Sequence, residues 1–295
     1  MKKVLITGKG SYVGTAVERR MAEEPDSFSV DVIGTRDGEW RDVDFFSYDS
    51  VFHVAGIAHV PSSSQSDDRY MQVNCELAVE VARKAKEAGV GQFIFMSSSI
   101  VYGDSTPPGV IAPIDADTPF SPSNAYGLSK AEAERRLSLL ASDGFAVALL
   151  RCPMIYGPGC SRGNFPSLVK IAQRFPLFPL IENRRSMLYV GNLAELLCEI
   201  VQRGCAGTFM PQNGEYVATA DLVGLIAEYS GRSMRYTRLF NPLIGGGLSK
   251  VSPLVRKAFG NQFYTQDCSE CGFKYRRYTL RDSIAQIAEE DRWRS

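Results

Sequence analysis

The 295-residue sequence predicts an α/β fold in which a doubly wound parallel sheet is combined with a smaller, mostly C-terminal lobe. Up to residue 151, short apolar runs alternate with longer helical patterns. Repeated strand–helix alternation is typical of a parallel sheet covered by helices on both faces. After residue 151 the alternation degrades into the Gly- and Pro-rich stretch CPMIYGPGCSRGNF, which indicates a more irregular second unit.

The individual elements follow from apolar periodicity and from stop signals. Helix 69–88 carries an apolar stripe near one face, and Gly89 follows it as a stop. The segment between Gly34 and Asp49 is too short for a full strand–helix–strand unit, so one crossover is predicted to be abbreviated. The predicted strands lie at 3–7, 30–33, 50–55, 92–96 and 146–151, and the predicted helices at 12–22, 69–88 and 124–141.

Composition narrows the function classes. The 33 basic and 33 acidic residues cancel, so no basic excess argues for binding to nucleic acid or to an anionic membrane. No stretch reaches the ~18–20 apolar residues of a membrane span, and the apolar run after the basic start covers only Val4 to Ile6, too short for a signal peptide. We therefore expect a cytoplasmic protein with no membrane span and no nucleic acid.

The cysteines and histidines give no sign of a metal site. Seven cysteines are odd in number and irregularly spaced, which fits a reducing compartment better than a disulfide framework. Cys268 and Cys271 form a CxxC pair, but a structural zinc would need a second pair or histidines. The chain has only His53 and His59, and a lone histidine is more often packed than catalytic. We predict no metal.

A glycine-rich loop, TGKGSYVG, follows the first predicted strand and opens a helix. Gly8 allows the tight turn, Gly10 and Ser11 let the backbone approach a pyrophosphate, and Gly14 lets the helix lie close to the sheet. The first helical residues, Tyr12 and Val13, would present free N–H groups to the phosphates. This loop predicts a dinucleotide-binding, Rossmann-type sheet.

The residues after the second strand bear on which dinucleotide is bound. An acidic residue there would bond the ribose 2′-hydroxyl and favour NAD, but Asp31 lies too early, inside the strand. The strand instead runs into Gly34, Thr35 and Arg36, and an Arg fork matches a 2′-phosphate. An exposed loop charge is an equally good interpretation of Arg36, so NADP(H) is only slightly favoured and NAD(H) is not excluded.

A hydroxyl, a phenol and an ammonium group follow in the order that hydride-transfer chemistry needs. Strand 92–96 ends in serines, which places Ser97 or Ser98 at the edge of the sheet where ligands bind. Tyr126 and Lys130 are one turn apart on the next helix. A nearby ammonium lowers a phenol's pKa from about 10, so Tyr126 could exchange a proton with a sugar oxygen while a hydride moves.

Taken together, these motifs resemble an extended short-chain dehydrogenase/reductase of the NAD-dependent epimerase/dehydratase family, which acts on nucleotide sugars. The resemblance is strongest over residues 3–193 and is carried by TGKGSYVG, VFHVAG, VNCELAVEVARKA, FIFMSSSIVYGD, YGLSK, LRCPMIYGPG and NRRSMLYVGNL. It implies residues 1–153, with about 187–205, as the NAD(P)-binding Rossmann domain. Residues of about 154–186 and 206–295 would then form the substrate lobe.

The resemblance also implies roles for individual residues. Ser98, Tyr126 and Lys130 would be catalytic, and Asn164 and Arg185 would contact a nucleotide-sugar diphosphate. Ser98 and Ser99 would face the sugar. The further positions matched to cofactor binding are Ala55, Gly56, Ile57, Asn74, Ser97, Pro153, Met154 and Ile155.

Departures from the family pattern limit the reaction. Ser11 stands at a glycine position, which is tolerable if its backbone dihedrals are ordinary. The family's 4,6-dehydratases carry an Asp–Glu pair where this chain has Ser99 and Ile100, so we reject a dehydratase.

The hypothesis is an NAD(P)-dependent nucleotide-sugar epimerase of the UDP-hexose 4-epimerase kind. A keto-sugar-nucleotide reductase and a non-catalytic cofactor sensor remain as alternatives. The substrate would be a nucleotide sugar, UDP-linked in our expectation, and relatives suggest a homodimer.

Overall fold

The computed structural model describes residues 1–58, 64–245 and 252–293. Within them, six parallel strands form the central sheet in the order β2-β1-β3-β4-β5-β9. The strand order reverses at β1, where a Rossmann-type sheet opens its ligand crevice. The strands are β1 (Lys2–Thr7), β2 (Phe28–Ile33), β3 (Ser50–His53), β4 (Gln92–Ser98), β5 (Ala146–Cys152) and β9 (Gly207–Phe209).

Helices cover both faces of this sheet, as predicted. α1 (Tyr12–Ala22) and α6 (Val190–Arg203) pack on one face, while α3 (Leu77–Glu87) and α4 (Ala125–Ser138) pack on the other. The predicted helix 69–88 is divided: α2 (Ser64–Met71) passes through a π-helical turn, Gln72–Glu76, before α3 begins. Apolar periodicity carries no signal for that local widening.

The abbreviated crossover is confirmed. Between β2 and β3 the chain forms only a one-turn 3₁₀ helix, Glu39–Arg41, in place of a full strand and helix. Trp40 and Phe45 are buried against Leu5 and Val51, so two aromatic side chains anchor a segment that has little regular structure.

The smaller lobe is built from short strands and helices, as the irregular sequence predicts. Its core packs aromatic and branched side chains of α5, α7 and α10 around β6 and β8. Two parallel pairs, β6–β8 and β7–β10, replace an extended sheet. The elements are β6 (Met154–Tyr156), α5 (Asn164–Arg174), β7 (Leu177–Pro179), β8 (Met187–Tyr189), α7 (Thr219–Tyr229), β10 (Arg235–Thr237), α8 (Asn241–Leu243), α9 (Pro253–Phe259) and α10 (Leu280–Glu290).

The predicted domain boundaries need two corrections. β9 was placed in the lobe by the boundary at 206, but it pairs with β5 and is the edge strand of the central sheet. Residues 187–189 were placed in the Rossmann domain, but they form β8, which pairs with β6. Both strands have only three residues, too few to show the two-residue period that identifies a strand in sequence.

No helix of the described ranges is both long and apolar enough to cross a membrane.

A nearly buried ion pair joins α1 to α6. Arg20 Nε and Nη2 donate to the two carboxylate oxygens of Glu195 at 2.6 and 3.0 Å, and Arg277 Nη1 donates to Oε1 at 2.5 Å. Burial tends to raise the pKa of Glu195, but the hydrogen bonds from the two arginines outweigh it and lower the pKa.

We expect Glu195→Gln to lower the free energy of unfolding by about 2 kcal/mol, because two arginines lose their shared anion at a largely buried site. Glu199→Gln is the matched control on α6, since its pair with Arg203 is exposed and worth less than about 0.5 kcal/mol. Urea unfolding at neutral pH measures both. The Glu195 contribution is fully present above a glutamate's ordinary pKa of about 4.3 and is lost as pH falls through the lowered pKa. Equal losses in the two variants would contradict the assignment.

Candidate active site

A crevice of about 820 Å³ lies beyond the C-terminal ends of the sheet strands, between the sheet and the lobe. The first turn of α1 forms one part of its wall, and the segments that follow β3, β4 and β5 form another. Most of the predicted site residues meet here: Ser11, Tyr12, Val13, Gly56, Ile57, Ser97, Ser98, Ser99, Tyr126, Lys130, Pro153, Met154, Ile155, Asn164 and Arg185.

The glycine loop at one end of the crevice has no room for a side chain at Gly8 or at Gly14. Gly8 has φ +124°, and a Cβ there would lie 2.8 Å from the backbone nitrogen of Ala55. A Cβ on Gly14 would collide with Ser11 Oγ, while Gly10 at φ +75° faces open space. This close approach of backbone to backbone is a cradle that fits a dinucleotide pyrophosphate at the α1 N-terminus.

Ser11 explains why the departure from a glycine is tolerated. Its φ of −73° and ψ of 141° are ordinary extended values that any residue adopts. Its hydroxyl accepts the backbone N–H of Gly14 at 3.2 Å and so caps α1. The serine thus supplies a helix cap at a place where the backbone does not require glycine.

The loop after β3 is held from behind by Asn74. Its Oδ1 accepts the backbone N–H of Ile57 at 2.8 Å, and its Nδ2 donates to the carbonyl of Ile57 and to Ser129 Oγ at 3.1 and 3.2 Å. Asn74 is fully buried in the π-helical turn. The predicted cofactor contact of Asn74 is therefore wrong for this structure, because its amide is engaged in positioning Gly56 and Ile57.

The predicted hydroxyl and phenol come together. Ser98 and Tyr126 both line the crevice, and the Ser98 hydroxyl lies near enough to the Tyr126 phenol to influence its pKa. The start of α4 lies against the segment after β4, because a Cβ on Gly127 would be only 3.0 Å from the carbonyl oxygen of Ile100. Asn124 caps α4 by accepting the Gly127 N–H at 2.9 Å, which fixes Tyr126 in the first turn.

The protonation of this pair differs from the prediction. Burial raises the pKa of Tyr126 to about 12, with the Ser98 hydroxyl opposing it. Lys130 Nζ donates to the carbonyl of Met96 at 2.7 Å and lies 4.5 Å from the centre of the Phe95 ring. The expected lowering of the Tyr126 pKa by Lys130 is therefore wrong for this structure. The spacing places both residues on one face, but the lysine side chain is engaged by the end of β4.

Lys130 is itself strongly perturbed. Burial lowers its pKa to about 8, and the nearby Glu134 carboxylate opposes this shift. Glu134 accepts from Arg151 Nε and Nη2 at 2.9 and 2.8 Å, and Arg151 Nη1 donates to Tyr102 Oη at 2.6 Å. The motifs did not reveal this buried network, although a Glu one turn after Lys130 is a usable signal.

Ser97 belongs to this network. Its hydroxyl donates to Glu134 Oε1. Ser97 was predicted to bind the cofactor, and it does border the crevice, but its hydroxyl is used internally. Ser98, rather than Ser97, is thus the serine at the end of β4 whose hydroxyl lies near Tyr126, because alternate strand residues point to opposite faces.

The residues after β2 lie beside the glycine loop but do not line the crevice. Gly8 and Lys9 donate their backbone N–H groups to the carbonyl of Ile33 at 2.9 and 3.0 Å, which places Gly34, Thr35 and Arg36 next to that loop. Arg36 is exposed. Asp31 accepts a hydrogen bond from Tyr48 at 2.9 Å.

On the lobe side, Arg185 is a buried cation. It is 7% exposed, and burial lowers its pKa to about 10. Its Nη1 donates to the carbonyls of Lys257 and Gly260 at 2.8 and 3.3 Å, and no carboxylate pairs with it among the described residues. Asn164, at the start of α5, lines the same wall.

Further residues line the crevice that sequence reasoning did not find. Tyr70 packs against Tyr126, with ring centres 5.8 Å apart. The additional lining residues lie in irregular segments and in the divided helix α2–α3, where the sequence has no regular spacing that would identify them. They include Asp67, Tyr70, Asp104, Ser105, Arg162, Lys257 and Gln262.

The histidines and the CxxC pair were not predicted to belong to the site. His53 is buried between Phe93 and Phe95, bonds Thr7 Oγ1 at 2.8 Å, and has its pKa lowered to about 3 by burial. Cys268 and Cys271 are free thiols, and no cluster of metal-binding side chains occurs in the described part of the chain. His59 lies outside the described residues.

Comparison with known proteins agrees with these features. The profile of the NAD-dependent epimerase/dehydratase family matches residues 4–209. A UDP-glucose 4-epimerase of Vibrio cholerae is 30% identical over 249 residues, covering 77% of this chain and 75% of that protein. The chain spans about half the length of several further curated relatives that it matches.

Solved structures share the fold at low identity. The Bordetella bronchiseptica enzyme WbmG, in complex with NAD and UDP, has a TM-score of 0.74 and 20% identity, covering 99% of this chain and 96% of that one. RMD from Pseudomonas aeruginosa, complexed with NADPH, has a TM-score of 0.73 and 18% identity, with 100% of each chain covered. The Rossmann-type fold predicted from sequence is confirmed.

We expect Gly8→Ala to weaken NAD(H) and NADP(H) binding at least ~tenfold and to cost about 1–3 kcal/mol of stability, because φ +124° is a strained region for alanine. Gly144→Ala is the control, since a Cβ there meets open space. Titration calorimetry and thermal unfolding measure the two effects. Unchanged dinucleotide affinity in Gly8→Ala would remove the glycine loop from the site.

Proposed function

Since this chain belongs to the NAD-dependent epimerase/dehydratase family, we propose that it is an NAD(P)-dependent nucleotide-sugar epimerase resembling the UDP-hexose 4-epimerases. It is an enzyme of the extended short-chain dehydrogenase type. The observation that carries the proposal is the placement of Ser98 and Tyr126 together in the crevice, where the Ser98 hydroxyl influences the pKa of the phenol. It sets a proton-exchanging phenol beside the cradle that fits a dinucleotide.

The cofactor fit rests on the glycine loop. Side chains at Gly8 and Gly14 would collide with neighbouring atoms, and the α1 N-terminus presents N–H groups that suit a pyrophosphate. Pro153, Met154 and Ile155 line the crevice after β5 and would border the nicotinamide. When bound, the nicotinamide supplies the acceptor and donor of the hydride.

Tyr126 would hold and move the proton of the sugar hydroxyl. With its pKa raised to about 12, the phenol is protonated at neutral pH and suited to donate to a keto oxygen. To accept a proton it must first lose its own, and the Ser98 hydroxyl stabilises the phenolate that results. Ser98 would also hold the sugar oxygen in line with Tyr126. An epimerase needs both directions of this transfer in each turnover.

Lys130 would bind the cofactor next to Ser98 and Tyr126, and would not lower the pKa of the phenol. Its ammonium is held by the Met96 carbonyl at the floor of the crevice, and its lowered pKa of about 8 leaves it largely charged at neutral pH. An ammonium in that place can donate to the nicotinamide ribose.

Two observations support a nucleotide diphosphate as the anionic part of the substrate. Arg185 is a buried guanidinium without a carboxylate partner in the described residues, and such a cation is stabilised by an anion in the crevice. Arg162 and Lys257 line the same wall. The Vibrio cholerae relative is a UDP-glucose 4-epimerase, which favours a UDP-linked sugar.

Other reactions of the family have less support. Water elimination needs an acid and a base, and the positions after Ser98 hold Ser99 and Ile100. A reductase acting on a keto sugar would use the same Ser98 and Tyr126 but would consume NAD(P)H in each turnover. A non-catalytic cofactor sensor would keep the glycine loop without needing Ser98 and Tyr126. We further propose a cytoplasmic homodimer, in which the exposed Leu128 of α4 and Leu139 just after that helix would be covered.

We expect Tyr126→Phe to lower kcat for UDP-glucose and UDP-galactose interconversion by about 10²–10⁴, the usual loss of a general acid–base group. Dinucleotide binding is expected to stay unchanged. Tyr48→Phe is the matched control, because its hydroxyl bonds Asp31 away from the crevice. A coupled assay of product formation without added NAD(P)H measures the turnover.

In a parallel assay with added NAD(P)H and a keto-sugar nucleotide, stoichiometric loss of NAD(P)H absorbance would instead identify the reductase. Wild-type turnover in Tyr126→Phe would refute the assigned role of the phenol. An unaltered binding isotherm with no turnover on any UDP-hexose, in wild type and variant alike, would favour the sensor.

Cofactor preference is a separate prediction. We expect Arg36→Ser to weaken NADP(H) binding about tenfold, the loss of one charged hydrogen-bonding partner, and to leave NAD(H) binding unchanged. Lys9→Ser, at an exposed cation in the adjacent glycine loop, is the comparison variant. Fluorescence titration with both dinucleotides measures the ratio of dissociation constants. An unchanged ratio in Arg36→Ser would show that Arg36 is only an exposed loop charge.

A further inference from the structure

The lobe carries an apolar surface that the proposed reaction does not use. Five large apolar side chains lie exposed on two neighbouring segments: Phe175, Leu177, Leu239, Phe240 and Leu243. Leu239 is 86% exposed and Leu243 is 59% exposed, values that are unusual for leucines gathered in one place. Scattered single apolar residues need no explanation, whereas a contiguous group indicates a contact surface.

These residues are brought together by the β7–β10 pair. Leu177 pairs in register with Arg235, and Pro179 with Thr237. The backbone N–H of Leu180 then bonds the carbonyl of Thr237 at 2.9 Å, and Asn241 Nδ2 donates to the carbonyl of Leu180 at 2.7 Å. The segments 175–180 and 235–243 therefore form one continuous face, with α8 at its end.

The two segments that form this face are basic. Residues 170–181 and 230–245 contain five basic residues and no Asp or Glu, although the whole chain has equal numbers of both signs. The basic residues are Lys170, Arg174, Arg232, Arg235 and Arg238. Among the described residues, none of these five forms an ion pair with a carboxylate. We call this surface, with the five apolar residues above, the basic apolar face.

Acidic residues lie at the margins of the face: the exposed Glu182 follows Ile181 in the chain, and Asp291 lines a cavity together with Arg232. Asp221 on α7 influences the Tyr236 hydroxyl, which donates to the carbonyl of Ala220 on the inner side of β10. Tyr236 alternates with Arg235 and Thr237 along the strand, so it points to the opposite side. The outer side of β10 keeps its positive charge.

This charge pattern selects among the possible occupants. A second copy of the chain related by a two-fold axis would bring the same arginines against each other, which repels. An anionic lipid surface complements the arginines and accepts the exposed Leu and Phe side chains at the depth of its headgroups. We propose that the basic apolar face binds peripherally to membranes that contain anionic lipids.

Binding there would leave the crevice open. α5 begins at Asn164 in the crevice wall and ends at Arg174 on the face, and its eleven residues separate the two by about 16 Å at 1.5 Å per residue. The enzyme would release its nucleotide sugar beside the bilayer. A group-transfer reaction at the membrane surface, with a lipid-linked acceptor, is the class of step that gains from this placement.

The experiment is co-sedimentation of the full chain with vesicles of phosphatidylcholine, with and without about one-quarter phosphatidylglycerol. We expect the wild type to sediment with the anionic vesicles, and binding to fall at least ~tenfold as NaCl rises from about 0.1 to 0.5 M and the screening length drops from about 10 to 4 Å. Arg235→Glu with Arg238→Glu, and Leu239→Ser with Leu243→Ser, are each expected to reduce partitioning at least ~tenfold.

Matched controls lie elsewhere on the surface. Arg83→Glu reverses an exposed charge on α3, and Phe46→Ser removes an 80% exposed apolar side chain between β2 and β3; both are expected to bind like wild type. A far-UV circular dichroism spectrum and a melting temperature that match those of the wild type establish that each variant is folded.

No sedimentation with either vesicle would overturn the proposal, and so would equal losses in the control variants. Wild-type partitioning in both the Arg235/Arg238 and the Leu239/Leu243 variants would likewise overturn it. Sedimentation with neutral and anionic vesicles alike would remove the lipid-charge argument. If the face instead bound an acidic protein partner, vesicle binding would be absent, which again contradicts the proposal.

Discussion

The close approach of α4 to the end of β4 is the constraint on which the rest of the site depends. Gly127 allows it, because a side chain there would meet the carbonyl of Ile100 and the ring of Pro122 at about 3.0 Å. Asn124 caps the helix at that point, so Tyr126 projects from its first turn towards Ser98. Without this contact the phenol would lie on a helix surface like any other tyrosine. With it, a proton donor stands at the carboxyl edge of a parallel sheet, where Rossmann-type folds bind their ligands.

A second layer of buried polar residues keeps this arrangement in place. Asn74 fixes the loop after β3 through both ends of its amide, and Glu134 joins Ser97 to Arg151 beneath the crevice. Buried polar groups are costly unless bonded, so these networks define one geometry rather than several. The same reasoning sets Arg185 apart, since its bonds run to backbone carbonyls and leave its charge uncompensated by any described carboxylate. Its position on the lobe wall makes an anionic substrate group the natural counter-charge.

Sequence reasoning found the elements whose signals are local. Strand–helix alternation, the glycine loop and the order of Ser98, Tyr126 and Lys130 predicted the sheet and the centre of the crevice. It misplaced β8 and β9, because strands of three residues have no period to detect. It assigned Asn74 to the cofactor and gave Lys130 control over the Tyr126 pKa, because spacing reports which face a side chain occupies and not which neighbour it bonds. The Glu134–Arg151 network and Tyr70 depend on tertiary contacts between distant segments, which a single sequence does not display.

The central claim is that carbon-bound hydrogen moves as a hydride within the crevice while Tyr126 exchanges only the oxygen-bound proton. Conversion of UDP-glucose by the purified protein in D₂O, followed by mass spectrometry and NMR of the UDP-galactose, tests it directly. We expect product with no deuterium bound to carbon, because a hydride returned from the nicotinamide does not exchange with solvent. Deuterium at the epimerised carbon would mean that the carbon itself was deprotonated, and it would contradict the proposed role of the crevice.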